Sequence, residues 1–259
     1  MILDKIVNSV QKRLIERKAI LPLEELKARL TGSHQSGRFI QAMKEPGISL
    51  IAEIKQASPS AGRICHDFNH CAVAKTYNQS KARAISVLTE EDHFHGSLQF
   101  LKDVRPLTTL PIIHKDFIID PYQVYEARIL RADCILLIAA ILDQTQMENL
   151  LTTASQMGLD VLMEIHNQEE LDRIKGLELK LIGINNRDLT TFKTDLQTTI
   201  RLREKLIYKY NCLIISESAI KTRRDVAMLE SASIDGILVG ETLMRSPNMI
   251  AKIDEILGT

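Results

Sequence analysis

The sequence predicts an α/β protein with a (β/α)8 TIM barrel and an N-terminal helical extension. Short apolar runs alternate with segments of helical periodicity along the chain, which is the pattern of repeated βα units. Eight such runs occur, and eight parallel strands buried on both faces close into a barrel of about 250 residues. The predicted strands are 49–55, 84–89, 111–115, 133–138, 160–165, 181–185, 213–217 and 236–239. An open doubly wound sheet is the alternative, but the sequence lacks its Gly-rich first turn.

Apolar residues at three-to-four spacing predict helices between the strands. These helices include 71–77, 122–131, 145–157, 168–174, 195–208 and 222–230. Residues 1–47 precede the first strand and predict three further helices, at 2–18, 23–30 and 39–43, which we expect to cap a barrel end. Because no linker or shift in composition divides the chain, we expect residues 1–259 to form a single domain.

Composition and charge exclude several classes of protein. The 33 Lys and Arg residues balance 33 Asp and Glu residues, so no overall field attracts nucleic acid or an anionic membrane. No run reaches the roughly 20 apolar residues of a membrane span. Asp4 and Lys5 interrupt the N-terminal apolar residues, so no signal peptide is predicted. We expect a cytoplasmic protein without nucleic-acid or membrane partners.

The cysteines do not have the spacing of a disulfide framework. They are Cys65, Cys71, Cys134 and Cys212. The segment 65–71 also contains two histidines, so it offers four potential metal ligands: Cys65, His66, His70 and Cys71. However, Asn69 is a typical N-cap for the helix 71–77, which leaves Cys65 and His66 in a loop. We therefore favour a structural role for this segment over a metal site.

The first predicted strand carries charges only at its C-terminal end. Side chains two apart on a strand share a face, so Ile51, Glu53 and Lys55 face one way while the alternating residues form an apolar opposite face. A turn sequence, Ser58-Pro-Ser, follows at once. Charges at the exit of a buried strand are typical of the open mouth of an α/β barrel, where active sites lie.

Other predicted strands also end in polar residues. The full set is Glu53, Lys55, Lys115, Glu164, Asn185, Arg187, Ser216 and Ser218. Lysines and carboxylates that meet in one mouth shift each other's pKa values, which suits acid–base catalysis near neutral pH. The structural alternative is that they form ion pairs that brace the barrel. Bracing pairs have no reason to favour strand exits, so we prefer the catalytic interpretation.

Two late loops predict a phosphate site. Ser218-Ala-Ile follows the seventh strand and Val239-Gly-Glu follows the eighth, and barrels of this kind commonly bind phosphate at these two loops. Gly240 permits close approach of the backbone, and Ser58 adds a hydroxyl. An ordinary turn role for Gly240 is the alternative.

Two phenylalanines, Phe94 and Phe117, lie in loops that follow strands. We interpret them as a holder for a flat ligand, with packing beneath the loops as the alternative. Several histidines lie near the same loops: His93, His95, His114 and His166. We interpret these as structural or loop residues, since His114 has the opposite strand parity to Lys115 and faces the helices.

The ordered motifs resemble the indole-3-glycerol phosphate synthase family of tryptophan biosynthesis over essentially the whole chain. The segments that carry the resemblance are 53–60, 86–97, 115–123, 136–138, 164–166, 183–189, 216–218 and 239–244. The resemblance implies ring closure of 1-(2-carboxyphenylamino)-1-deoxyribulose 5-phosphate to indole-3-glycerol phosphate, with loss of carbon dioxide and water. It also implies that the reaction needs neither a metal nor an organic cofactor.

The resemblance also implies roles for particular residues. Lys115 would be the general acid on the ketose carbonyl, Glu164 would stabilise the cationic intermediate or act as base, and Lys55 would bind the carboxylate or share acid duty. Glu53 and Asn185 would handle the hydroxyl that is lost, and Ser218 completes the catalytic set. The substrate-binding set is Ser58, Phe94, Phe117, Leu136, Arg187, Leu189, Ala219, Gly240 and Glu241, with Arg187 on the anthranilate carboxylate and both phenylalanines beside its ring.

One departure from the family pattern lies in the phosphate loop, where Ala219 stands at a position usually held by glycine. Alanine is tolerable there only if the backbone keeps a negative φ, so we expect weaker phosphate binding. Two alternative functions remain open at this point: a non-catalytic phospho-ligand-binding barrel and a related phosphosugar isomerase. We expect a monomer, with a weak homodimer as the alternative.

Overall fold

Each predicted βα unit contributes one strand to a closed barrel. The computed structural model describes residues 2–32, 35–65, 67–188, 191–206 and 211–259. All eight strands are parallel and pair with their sequence neighbours, and the last strand pairs with the first. They are β1 (Ser49–Ile54), β2 (Ala84–Leu88), β3 (Ile112–Lys115), β4 (Cys134–Ile138), β5 (Asp160–Ile165), β6 (Leu181–Asn185), β7 (Leu213–Glu217) and β8 (Gly236–Val239). The predicted fold class is confirmed, and β5 to β8 match their predicted bounds.

A helix packs outside the barrel after each strand. These helices are His70–Asn78, Leu98–Val104, Pro121–Ile129, Gln144–Gln156, Gln168–Arg173, Gln197–Leu206, Arg223–Ser231 and Met249–Leu257, with a short helix Glu241–Met244 before the last. Two-residue strands, Ala57–Ser58 and Gly62–Arg63, form a hairpin in the loop after β1. No helix within the described ranges combines the length and apolar character that crossing a membrane requires.

Alternation along the strands divides the core into two layers. On β1, Leu50, Ala52 and Ile54 belong to the large cluster between the barrel and its helices. Ile51 belongs instead to the cluster inside the barrel, together with Ile113 and Leu162 from other strands. The face assigned to Glu53 from strand parity is therefore the barrel interior, as the sequence predicts.

The N-terminal extension reaches both ends of the barrel. Its helix Arg38–Met43 closes the end where the strands begin: Phe39 is fully buried in the inner cluster. The backbone N–H groups of Phe39 and Ile40 each donate to Asp160 Oδ2 at 3.0 Å, at the first residue of β5. A carboxylate at a helix N-terminus satisfies donors that the helix itself leaves free.

The first helix of the extension, Ile2–Ile20, lies at the opposite end. Arg17 pairs with Glu126 at 3.0 Å and Lys18 pairs with Asp120 at 2.7 Å, and Arg13 pairs with Glu91 and Asp92 in the loop after β2. The sequence predicted a cap for one end only. The extension covers both ends. Its long helix forms ion pairs at the end where the strands finish, and its third helix closes the floor of the barrel, which is the end where the strands begin.

We predict that Phe39→Ala destabilises the fold strongly, since the change leaves a cavity in the floor of the barrel. The expected loss in the free energy of unfolding is about 3–5 kcal/mol, measured by urea denaturation. Ile20→Ala is the control: Ile20 is 84% exposed, and a change there is expected to stay within about 0.5 kcal/mol. Equal losses in the two variants would contradict a packed floor.

Candidate active site

A cavity of about 1020 Å³ opens where the strands end. The residues predicted as catalytic or substrate-binding all line it within the described part of the chain: Glu53, Lys55, Ser58, Phe94, Lys115, Phe117, Leu136, Glu164, Asn185, Arg187, Ser218, Ala219, Gly240 and Glu241. Leu189 lies outside the described residues. Ile2, Leu3 and Ile6 of the first helix form part of the wall. Residues far apart in sequence thus meet at one mouth.

Four charged side chains form one layer inside the barrel. Glu53, Lys115, Glu164 and Glu217 come from β1, β3, β5 and β7, and each lies two residues after an inward apolar residue: Ile51, Ile113, Leu162 and Ile215. Layers of four side chains from alternate strands are the usual filling of such barrels. Here the uppermost layer is ionic, and the layer below it is apolar.

Lys115 is the centre of this charged layer. Its Nζ lies 3.4 Å from Glu164 Oε2 and 3.3 Å from Glu217 Oε2, and all three side chains are almost fully buried. Burial by itself lowers the pKa of Lys115, but Glu217, Glu164 and Glu53 together raise the pKa well above its ordinary value. The ammonium therefore keeps its proton in a water-poor site.

The two carboxylates beside Lys115 differ in their protonation. Burial favours a raised pKa for Glu164, yet Lys115 and His166 outweigh burial and hold its pKa below the ordinary range. For Glu217, burial dominates and its like-charged neighbour Glu164 adds to it, so the pKa is raised. Glu217 Oε1 is buried and accepts no hydrogen bond from the described residues. Separated pKa values in one site assign an ionised group and a protonated group.

Glu217 was missed by the sequence analysis, which placed Ser216 in the mouth instead. Ser216 is fully buried on the helix side, where its Oγ accepts from Asn186 Nδ2 at 2.9 Å and lies 2.8 Å from Thr199 Oγ1. The error has a simple cause. The strand parity that identified Glu53 also selects Glu217, because Ile215 and Glu217 are two apart and both face inward.

Two glycines leave room for the carboxylates. A Cβ at Gly240 would lie 2.1 Å from Glu53 Oε2, and a Cβ at Gly183 would lie 2.2 Å from Glu217 Oε1. Glu53 also pairs with Lys55 at 2.6 Å. Gly240 was singled out for backbone approach to a phosphate. The structure adds a second requirement, which is space for the Glu53 side chain.

The loop after β7 is strained. Ser218 and Ala219 have φ values of 64° and 67°, in the left-handed region that favours glycine. The negative φ that an unstrained alanine requires at position 219 is therefore not present. Asn186 holds the turn from behind: its Nδ2 donates to the carbonyl oxygen atoms of Glu217 at 2.9 Å and Ser218 at 3.3 Å, and its Oδ1 accepts from Thr199. This buried network fixes a turn that the local sequence disfavours.

The other predicted contacts surround the charged layer. The rings of Phe94 and Phe117 are 6.0 Å apart at 40° to each other. Asn185 Oδ1 accepts from the backbone N–H of Arg187 at 3.0 Å, and Ser58 Oγ accepts from Ala61 N at 3.2 Å. Three cations that the sequence analysis did not select also line the cavity: Lys221, Arg245 and Lys252. The cavity thus has two aromatic rings in its wall, the charged layer at its base and further cations around it.

His166 lies closer to the site than its structural interpretation suggested. Its Nδ1 is 2.9 Å from Glu170 Oε2, and its Nε2 is 3.2 Å from Glu164 Oε1, without the alignment of a hydrogen bond. Burial lowers the pKa of the ring, but the two carboxylates outweigh burial and raise the pKa to about 10. His114, in contrast, is buried beside Thr89 Oγ1 at 2.8 Å and does not line the cavity, as expected.

We predict that Ala219→Gly stabilises the protein, because glycine removes the strain of a positive φ. The expected gain in the free energy of unfolding is about 1 kcal/mol, measured by urea denaturation. The control is Ala232→Gly, where φ is −85° and the change is expected to cost about 0.5–1 kcal/mol. A loss of stability in Ala219→Gly would contradict the left-handed turn.

We predict that His166→Gln changes how stability depends on pH. Because the folded-state pKa of His166 is raised to about 10, its contribution is complete below the unfolded pKa of about 6.5 and is lost as the pH rises through 10. The difference in unfolding free energy between wild type and variant should shrink between those pH values. A difference that does not change with pH would refute the ion pair between His166 and its carboxylate neighbours.

Comparison with known proteins agrees with the geometry. The family model described as indole-3-glycerol phosphate synthase matches residues 3–256. Relatives named indole-3-glycerol phosphate synthase include one from Lachnospira eligens, 45% identical over 98% of this chain and 96% of the relative. Another, from Dehalococcoides mccartyi, is 44% identical over 99% of this chain and all of the relative.

Two solved structures share the fold at low identity. A mutant tryptophan synthase alpha-subunit from Pyrococcus furiosus has a TM-score of 0.62 and 13% identity, and covers 88% of this chain and 100% of its own. KGPDC from Streptococcus mutans has a TM-score of 0.62 and 9% identity, and covers 80% of this chain and 94% of its own. These two structures share only the barrel fold with this chain. The family model and the named relatives show the family itself: the chain belongs to the indole-3-glycerol phosphate synthase family.

Proposed function

We propose that the protein converts 1-(2-carboxyphenylamino)-1-deoxyribulose 5-phosphate to indole-3-glycerol phosphate, with release of one carbon dioxide and one water. The observation that carries this proposal is Lys115, an ammonium held protonated by Glu53, Glu164 and Glu217 at the barrel mouth. Ring closure requires an acid that protonates a ketose carbonyl away from bulk water, and this arrangement supplies one.

The first step is carbon–carbon bond formation. Lys115 donates a proton to the carbonyl oxygen, and the carbonyl carbon becomes electrophilic toward the ring carbon that bears the carboxylate. Glu164, ionised beside Lys115, stabilises the resulting cation. Loss of carbon dioxide then returns an electron pair to the ring. Glu217 contacts Lys115 directly, so we add it to the proposed set as the group that positions the ammonium.

The second step is dehydration, which we assign to Glu53 and Asn185. The hydroxyl on the former carbonyl carbon takes up a proton and leaves as water, and the neighbouring carbon gives up a proton so that the double bond of the indole forms. Both residues line the cavity, and Glu53 belongs to the charged layer. Lys55, paired with Glu53 at 2.6 Å, binds the substrate carboxylate. Ser218 completes the catalytic set from the strained turn after β7.

The remaining cavity residues bind the substrate in this proposal. Phe94, Phe117 and Leu136 pack against the anthranilate ring, and Arg187 binds its carboxylate. Phosphate lies at Ser58 and at the backbone N–H groups of Ala219, Gly240 and Glu241. Glu241 contributes through its backbone, because its carboxylate pairs with Arg245 at 2.9 Å and Gly240 is the N-cap of the helix that follows.

We propose further that the enzyme works in the cytoplasm as a monomer, with a weak homodimer as the alternative. The balanced charge of the sequence supports the location, because a chain without a strong net charge has no overall field that draws it to an anionic membrane surface.

We predict that the purified protein releases one carbon dioxide for each indole-3-glycerol phosphate that it forms. Indole fluorescence measures the product, and a gas-release assay measures the carbon dioxide. Lys115→Ala should lower kcat by about 10²-fold or more, the usual scale for a general acid. Lys55→Ala should act mainly on KM. The exposed Lys75→Ala should leave both constants unchanged.

Circular dichroism of each variant separates lost chemistry from lost folding. Turnover of Lys115→Ala at the wild-type rate would contradict the assigned acid. Conversion of the substrate without carbon dioxide would contradict the proposed reaction and favour a phosphosugar isomerase.

A further inference from the structure

A second cluster of reactive side chains lies outside the barrel mouth. His70 and Cys71 begin the helix His70–Asn78, and Asp103 lies in the last turn of Leu98–Val104. One ligand atom from each residue lies within 4.8 Å of the other two, and none of the three lines the catalytic cavity. We propose that His70, Cys71 and Asp103 bind a single Zn²⁺ ion, which cross-links the two helices.

The donor atoms suit zinc. The site offers an imidazole nitrogen, a thiolate sulfur and a carboxylate oxygen, a mixture that favours Zn²⁺ over the oxygen-seeking Mg²⁺ and Ca²⁺. Zinc–ligand bonds of about 2.0–2.3 Å place tetrahedral ligands about 3.3–3.8 Å apart. Donors at the 4.8 Å limit of the cluster need to close by about 1 Å, while His70 Nε2 and Asp103 Oδ2, now 2.9 Å apart, need to separate by about 0.4 Å. Half-exposed side chains reach that geometry by rotation, and a water molecule completes the tetrahedron.

Neighbouring side chains already orient the ligands. Gln99 Nε2 donates to Asp103 Oδ1 at 2.6 Å, which leaves Oδ2 free to face His70 Nε2 at 2.9 Å. The His70 ring stacks on Phe100 with centroids 4.3 Å apart, and Phe68 lies at 6.3 Å. Outer contacts of this kind hold metal ligands in place and strengthen metal binding. The ion would replace the proton that His70 and Asp103 now share.

The two helix ends act on the ion in opposite ways. Cys71 lies in the first turn of its helix, at the positive end of the helix dipole. Asp103 lies where the carbonyl end of Leu98–Val104 favours a cation. The helix end near Cys71 repels the ion itself, but one thiolate and one carboxylate together neutralise its double charge.

This set differs from the one that the sequence suggested. Asn69 Oδ1 accepts from Ala72 N at 3.0 Å, so the predicted N-cap is present and the helix begins with His70. Cys65 precedes the helix and is not part of the cluster, and His66 lies outside the described residues. The third ligand, Asp103, comes from the next helix along the chain.

The two helices follow β1 and β2, whose loops carry Ser58 and Phe94. Tyr77, on the first of these helices, donates from its hydroxyl to the backbone carbonyl of Glu53 at 3.2 Å. A zinc ion between the helices would therefore brace one side of the barrel behind the catalytic layer. It would stabilise the fold without entering the reaction, so the proposal does not depend on the function proposed above.

The test uses the untagged, reduced full-length protein and Co²⁺ as an optical probe. We expect one Co²⁺ per chain, with the visible bands of a tetrahedral site and a near-ultraviolet thiolate-to-cobalt band, both displaced by one equivalent of Zn²⁺. Zn²⁺ should also raise Tm. The thiolate band must disappear in Cys71→Ser, and Zn²⁺ affinity should fall by more than about 100-fold in Cys71→Ser and His70→Ala, and by about tenfold in Gln99→Ala.

The matched control is Cys212→Ser, at a partly buried cysteine that directly precedes β7, and it should bind both metals like the wild type. Absence of the thiolate band in the wild type, or its persistence in Cys71→Ser, would overturn the proposal, as would binding unaffected by His70→Ala. Circular dichroism and Tm of the metal-free variants exclude misfolding. Loss of indole-3-glycerol phosphate formation alone has no bearing on this site.

Discussion

The buried ion cluster around Lys115 is the interaction on which the rest of the site depends. Removing charges from water is costly, and a buried charge persists only where opposite charges and hydrogen bonds compensate it. The barrel provides that compensation by symmetry, because β1, β3, β5 and β7 each present one residue at the same height. The cluster contains one lysine and three glutamates, so acidic groups outnumber the single base: they hold the proton on Lys115, and burial together with Glu164 raises the pKa of Glu217.

Everything around this layer preserves its geometry. Beneath it, Ile51 and Ile113 belong to an apolar layer that water does not enter. Behind it, Asn186 holds the turn after β7, and His166 bridges Glu164 to Glu170. The N-terminal extension supplies a floor through Phe39 and part of the mouth through Ile6. Catalytic groups are useful only when such surrounding contacts hold them within a narrow range of positions.

The sequence predicted the fold well because each βα unit is locally consistent: β-branched runs form strands, and capped amphipathic segments form helices. It also predicted the residues that gather at the mouth, since strand parity and strand ends are local properties. The sequence analysis failed where contacts between residues far apart in the chain determine the structure. The positive φ of Ala219 depends on a network with Asn186 and Thr199. Asp103 joins His70 only after two helices pack, and the double coverage of the barrel depends on contacts such as Arg17 with Glu126. Glu217 is the exception, because strand parity in the sequence is enough to place it in the mouth.

The glycines at 183 and 240 limit what the space beside the charged layer can hold. Each lies where a methyl group would overlap a carboxylate oxygen, of Glu217 and Glu53 respectively, so a larger residue at either position would force that carboxylate to move. A residue without a side chain therefore helps to set where two of the buried charges lie.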